Sequence, residues 1–184
     1  MNSFDEYSDR LIENSKFLYL KAVSTKNENA KQAFLQSSIL IAYCALDAYV
    51  YSICEELFEN GRISIFEKSF LVEKDLSFKN GNFSLSNNLK MTRITDRIEY
   101  LFNFFDHKPI NKSTHWWTQI NDGYNLRNNI VHPKQKKIIT EKEVERSILS
   151  ISECINSLFR IIYKRKYPLY VKKLDTRCNY EDLI

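Results

Sequence analysis

The stretch LRNNIVHP brings a permanently charged side chain and a titratable one close together in sequence: Arg127, followed by Asn128, and then His132. An imidazole titrates near neutral pH, so it can take a proton from a ribose 2′-hydroxyl or give one to a leaving 5′-oxygen. A guanidinium can clamp the phosphate while negative charge develops on it. Asn128 carries a donor and an acceptor and can orient either partner. These residue types are suited to RNA cleavage without a metal ion.

The spacing of this pair requires a break in the helix that carries it. On an ideal α-helix, positions five apart lie about 140° apart around the axis, too far for one face. Pro133 supplies the break, because a residue that precedes proline is pushed from helical to extended geometry. We therefore predict that the helix ends within two residues of Val131 and that His132 leaves its last turn toward the side of Arg127.

The motif resembles the signature of the HEPN superfamily. In that pattern an arginine, commonly followed by a polar residue, precedes a histidine by four to six positions at the end of a helix. Arg127, Asn128 and His132 match these elements, and Ile130 and Val131 form the usual apolar pair before the histidine.

An upstream segment extends the resemblance. The apolar stretch SILIAYCALDAYVYSICEELF is similar to the second helix of many HEPN proteins, where an acidic residue precedes a small and an aromatic one. Here these residues are Asp47, Ala48 and Tyr49. The resemblance implies that Asp47 neutralises Arg127 or fixes the tautomer of His132.

The resemblance also implies a fold, an assembly and an activity. The fold is all-α, a bundle of four or five helices, commonly paired as a two-fold homodimer with Arg and His of both subunits facing one cleft. The activity is that of a metal-independent, cofactor-free endoribonuclease of toxin–antitoxin or phage-defence systems, with an antitoxin or defence protein as a further partner. HEPN toxins silenced through AMPylation carry a Tyr two positions after the His, whereas this chain has Lys134 there.

Apolar periodicity and turn signals place the motif in a single domain of 184 residues. Helices are expected over about 3–23, 29–60, 92–106, 113–131 and from a Thr140–Glu143 capping box onward, with Gly61 as a left-handed C-cap of the second helix. Asn80-Gly81 predicts a small β-hairpin inserted within about 62–90. An irregular tail is expected over about 167–184.

Composition favours a soluble protein of a reducing compartment. The net charge of +4 permits a polyanionic partner such as RNA. The N-terminus MNSFDEYSDR is acidic and predicts no signal peptide, so we expect a cytoplasmic protein. From Gln32 to Cys54 the sole charged residue is Asp47, yet interrupting polar residues favour a buried helix over a membrane span. Four widely spaced cysteines are expected to be buried thiols: Cys44, Cys54, Cys154 and Cys178.

The site residues also have plain structural interpretations. His132 could be a dipole-stabilised helix cap, and Arg127 could form an ordinary salt bridge with Asp122 or Glu141. Asp47 could be a hydrogen-bonded acid of the core.

The lysines that follow the motif leave a similar choice. Lys134, Lys136 and Lys137 could track an RNA backbone or form a solvated face. At the level of function, the alternative to a ribonuclease is a catalytically silent HEPN module that binds nucleotide, RNA or a partner protein.

Overall fold

Helices dominate the computed structural model, which describes residues 3–59, 61–170 and 173–178. In chain order the elements are α1 (Ser3–Ser24), α2 (Glu28–Phe58), α3 (Ile65–Leu71), β1 (Lys74–Lys79), β2 (Asn82–Leu89), α4 (Ile94–Asp106), α5 (His115–Val131) and α6 (Glu141–Tyr163). The predicted helical protein with one small hairpin is confirmed. The described residues form six helices rather than four or five, because α3 was not expected.

Helix α2 is the central element, and it packs against α1, α5 and α6. By length and composition it could cross a membrane, but half of its most apolar 18-residue stretch is buried inside the bundle. The predicted left-handed cap at Gly61 is wrong. The helix ends at Phe58, and Glu59 caps it in a right-handed conformation that any residue can adopt.

The region 62–90 contains more than the expected hairpin. Leu76 pairs with Leu85, and Phe78 pairs with Phe83, as the sequence around Asn80-Gly81 predicts. Ahead of the hairpin lies α3, whose Ser64 and Glu67 form a reciprocal capping box. The spacing of these two residues was the local signal for this helix.

Helix α5 lies close to both α2 and α6 because Gly123 has no side chain. A Cβ atom at this position would lie 2.4 Å from Tyr43 Oη and 2.5 Å from Ser147 Oγ. The Tyr43 hydroxyl in turn donates a hydrogen bond of 2.7 Å to the Ile120 carbonyl of α5. Gly123 therefore sets how near the motif-bearing helix approaches its two neighbours.

Helix α6 begins as predicted, with Thr140 and Glu143 bonded reciprocally as a capping box. The described part of the C-terminal tail is irregular, as expected, but it is not loose. Tyr167 is buried, and its hydroxyl donates to the Asp9 carboxylate of α1 at 2.9 Å. Further on, the Thr176 hydroxyl donates to the Glu13 carbonyl at 3.0 Å. The tail thus fastens onto the first helix.

The cysteines follow the expectation in part. All four are free thiols; Cys54 and Cys154 are buried, and Cys178 is half-buried. Cys44 is exposed, so the expectation that it is a buried thiol is wrong. It lies one turn before Asp47 on α2.

Candidate functional site

Helix α5 ends where the sequence predicts. The helix ends at Val131, and His132 adopts φ −126° and ψ 68°, outside the helical region. Its backbone N–H still donates to the Asn128 carbonyl at 2.8 Å. Pro133 accounts for this departure, because its ring disfavours helical geometry at the preceding residue. The side chain of His132 is exposed.

Arg127 is held by its neighbour on the same helix. Its Nη1 donates to Asn128 Oδ1 at 3.0 Å, and its guanidinium lies 5.9 Å from the centroid of the Tyr124 ring. Among the described residues neither Asp122 nor Glu141 forms an ion pair with it, and Glu141 pairs instead with Lys31. The salt-bridge interpretation of Arg127 is therefore wrong, and Asn128 is the residue that orients it.

The structure does not join Arg127 to His132. No hydrogen bond links their side chains in the described ranges, and His132 makes no side-chain hydrogen bond there. The motif thus provides a fixed guanidinium and a separate, accessible imidazole at the end of the same helix.

Asp47 pairs with an arginine that the sequence pattern did not single out. Its Oδ1 lies 3.5 Å from Nη2 of Arg97 on α4, and among the described residues it forms no hydrogen bond or ion pair with Arg127 or His132. Arg97 also lies 3.5 Å from Glu73, through Nη1 and Oε2. The side chain of Asp47 is 44% exposed, which also excludes a fully buried core acid.

The pKa of Asp47 reflects both burial and charge. Partial burial raises it most, whereas the nearby guanidinium groups of Arg97 and Arg127 oppose that rise. Arg127 thus acts on Asp47 through space without bonding to it.

Asp47 and Arg127 line one cleft, here named the central cleft, between α2, α4 and α5. Its volume is about 420 Å³. The polar residues of its lining are Asp47, Tyr51, Glu73, Thr92, Arg97, Tyr124 and Arg127. One wall carries local backbone strain, because Glu73 has a left-handed φ of 54°, an uncommon conformation for a residue with a side chain. The cleft therefore combines two guanidinium groups, two carboxylates and two aromatic rings.

A second cleft, here named the basic cleft, lies on the other side of the end of α5. It has a volume of about 480 Å³ and includes residues 133–137 in its lining. Lys134 and Lys136 are exposed and have no ion-pair partner among the described residues. Lys137 pairs with Glu143 at 3.1 Å, so part of its charge is already neutralised.

Metal-binding groups are not gathered anywhere in the part of the chain that the structure describes. No three His, Cys, Asp or Glu side chains there are placed to hold an ion. Comparison of the chain with models of protein families, with curated proteins and with solved structures finds no match.

Proposed function

We propose that this chain is a metal-independent endoribonuclease with a HEPN-like bundle. The observation that carries the proposal is the end of α5, where Asn128 fixes the guanidinium of Arg127 and Pro133 releases His132 into solvent. An oriented phosphate clamp and an accessible acid–base group are the two parts that this cleavage needs.

The reaction proceeds through the ribose of the substrate. One His132 takes the proton of a 2′-hydroxyl, whose oxygen attacks the adjacent phosphorus atom. The bond from phosphorus to the 5′-oxygen breaks, and a protonated imidazole gives that oxygen its proton. The products are a 2′,3′-cyclic phosphate and a 5′-hydroxyl. Arg127 stabilises the charge on the non-bridging phosphate oxygens.

Two further parts of the proposal are the lysines that would contact RNA and a homodimer that would supply a second imidazole. Lys134 and Lys136 in the basic cleft contact the phosphates that flank the cut. Acid and base catalysis in one turnover calls for two imidazoles, which a two-fold homodimer supplies from its two copies of His132. We place the protein in the cytoplasm as a toxin or anti-phage effector restrained by a partner protein.

A second candidate function is a silent HEPN module that binds nucleotide, RNA or a partner protein. It is favoured by one observation: within the described chain, Arg127 lines the central cleft, whereas His132 does not. Binding in that cleft would not require the imidazole.

The test is cleavage of bulk RNA by the purified protein in the presence of EDTA. We expect the parent to cut, and we expect His132→Ala to lose about a hundredfold or more of the rate, the usual contribution of a general acid or base. The matched control is His115→Ala, which removes another exposed imidazole from α5 and should cut normally.

Melting curves accompany the cleavage assay. His132→Ala should melt like the parent because an exposed residue at a helix end contributes little packing energy. Cleavage by His132→Ala at the parental rate would remove the main support for the ribonuclease. Absence of cleavage in the parent, with RNA or nucleotide still bound, would favour the silent module.

A further inference from the structure

We propose that the central cleft binds a guanine base, with the carboxylate of Asp47 and the guanidinium of Arg97 as its two readers. The inference rests on the proposed function in one respect, that the guanine belongs to a guanosine of the RNA substrate. The volume of about 420 Å³ lies within the range of roughly 300 to 1,000 Å³ that small-molecule sites occupy.

Arg97 has unused hydrogen-bond donors. Its side chain is 4% exposed, yet its Nε and Nη1 have no hydrogen-bond acceptor among the described residues. The carboxylates of Asp47 and Glu73 lie 3.5 Å away, beyond the usual length of such bonds. Buried donors in this condition destabilise a protein, so an acceptor from a ligand would offset a cost that the free chain already bears.

The two carboxylates differ in what they can still accept. Glu73 Oε1 receives the Thr92 backbone N–H at 2.9 Å and the Thr92 hydroxyl at 3.4 Å. Asp47 Oδ1 has the long contact with Arg97, and Asp47 Oδ2 has no partner in the described ranges. Asp47 is therefore the acceptor that remains available to a ligand, and Glu73 is a positioning residue for Arg97.

Among the four RNA bases, guanine matches this pair of readers. Its N1–H and N2 amino group are adjacent donors, which one carboxylate can accept together. Its O6 and N7 are adjacent acceptors, the pair that an arginine contacts in nucleic acids. Adenine and cytosine would set a ring acceptor against Asp47, and uracil has a single N–H donor.

The rest of the cleft fits a nucleotide rather than a free base. Tyr51 and Tyr124 line it, and aromatic side chains commonly stack on unpaired RNA bases. Arg127 lies in the same lining, so the phosphate of the bound guanosine would lie beside the guanidinium that Asn128 orients. A base read here would therefore select the bond that is cut.

The first experiment uses ligands and needs no variant. We expect calorimetric titration of the protein to show guanosine 3′-monophosphate binding about tenfold tighter than the adenosine, cytidine and uridine 3′-monophosphates, the effect of one good bidentate contact. Inosine 3′-monophosphate lacks the N2 amino group and should bind more weakly than the guanosine form. Equal affinities across the series would overturn the proposal.

The second experiment changes Asp47, the carboxylate proposed to recognise the base. Asp47→Asn keeps the shape of the side chain but replaces one acceptor with a donor, so the preference for guanosine should fall to about twofold or less. Because Asp47 is half-exposed, the variant should fold, and circular dichroism checks this. Asp122→Asn makes the same change outside the cleft and should keep the preference. An unchanged preference in Asp47→Asn would contradict the assignment.

Binding and cleavage are scored separately, so that the two proposals can fail independently. Titrations of His132→Ala should show the guanosine preference in the absence of cleavage. Cleavage without base preference would support the ribonuclease and overturn the guanine site. Selective binding of guanosine without cleavage would support the guanine site and count against the ribonuclease. To distinguish RNA from a free nucleotide as the ligand, a single-stranded oligoribonucleotide with one guanosine is titrated beside guanosine 3′-monophosphate. Selective binding of the mononucleotide alone would support the guanine site but identify a free nucleotide as its ligand.

Discussion

Arg127 owes its orientation to an amide rather than to an acid. Its Nη1 bonds to Asn128 Oδ1, and none of the carboxylates in the described chain pairs with it. No carboxylate thus occupies the donors of Arg127 in a direct bond, so they stay available for a phosphate, which is what a clamp requires. A salt bridge at the same place would have competed with the substrate.

Replacing Arg127 should change how RNA affinity depends on salt. In Arg127→Ala we expect weaker binding of a single-stranded RNA and a log–log salt dependence shallower by about 0.7, the value for one lost phosphate contact. Fluorescence anisotropy at several salt concentrations measures both quantities. Arg146→Ala, on an exposed part of α6 away from both named clefts, should bind like the parent. An unchanged salt slope in Arg127→Ala would mean that Arg127 contacts no phosphate.

The residues of the site were only partly predictable from the sequence. Arg127, Asn128 and His132 were singled out by type and spacing, and Asp47 by the resemblance of its segment, but the partner of Asp47 depends on how α4 packs against α2. A signal for Arg97 was nevertheless present in its own helix. It lies three positions after the buried Ile94 and four before the buried Leu101, on the apolar stripe where a charged residue needs a partner.

At the scale of elements, turns and caps with a distinctive local sequence were predicted correctly. The Asn80-Gly81 turn and the Thr140 capping box both occur as expected, because each is fixed by neighbouring residues. Helix α3 was missed since its seven residues are too few for a convincing helical period. The cap at Gly61 was wrong because a glycine near a helix end permits a left-handed turn without requiring one.

The contact made by Gly123 predicts a large effect from one methyl group. Alanine normally favours a helix by up to about 1 kcal/mol over glycine. Here the methyl group would overlap Tyr43 and Ser147, and the Tyr43 hydroxyl is tied to Ile120, so it cannot move freely. We expect Gly123→Ala to destabilise the protein by roughly 1–3 kcal/mol, the usual cost of overpacking.

Thermal unfolding measures this effect, with a shift of about 2–4 °C expected for each kcal/mol in a chain of this size. Gly61→Ala is the matched control. Nothing lies within 4 Å of the position that its methyl group would take, so its melting temperature should stay close to that of the parent. A neutral Gly123→Ala would contradict the close packing of α5.

The geometry of His132 should depend on Pro133. In Pro133→Ala the steric restriction on residue 132 disappears, so α5 should lengthen and carry the imidazole round to another face. We expect RNA cleavage to fall while the stability changes by about 1 kcal/mol or less. Amide exchange across residues 130–134 reports the longer helix. Pro109→Ala, in the exposed loop after α4, should leave cleavage unchanged, and full activity in Pro133→Ala would show that the break in the helix is dispensable.

For the whole molecule, the proposed homodimer can be tested at an exposed apolar residue beside the motif. Val131 is 43% exposed directly before His132. We expect sedimentation to show a dimer at working concentration. Val131→Glu should shift the protein toward monomer and reduce cleavage, because a charged carboxylate is costly to bury in an interface.

The control for Val131→Glu lies on α1. Val23 is 46% exposed, so Val23→Glu makes the same substitution at a similarly accessible position that is distant from the motif in sequence. It should leave both the dimer and the activity intact. A parent protein that sediments as a monomer while cutting RNA would refute the need for two copies of His132.

The ties between the tail and α1 have a consequence for synthesis in the cell. Asp9 and Glu13 meet Tyr167 and Thr176, which are more than 150 positions further along the chain. A ribosome makes the chain in one direction, so α1 cannot form these contacts until residues 167–176 have emerged. A product that ends before residue 167 would lack both contacts with α1, and its lower stability would make it a target for chaperones and proteases. Only a chain that extends past residue 176 can therefore complete both contacts with α1.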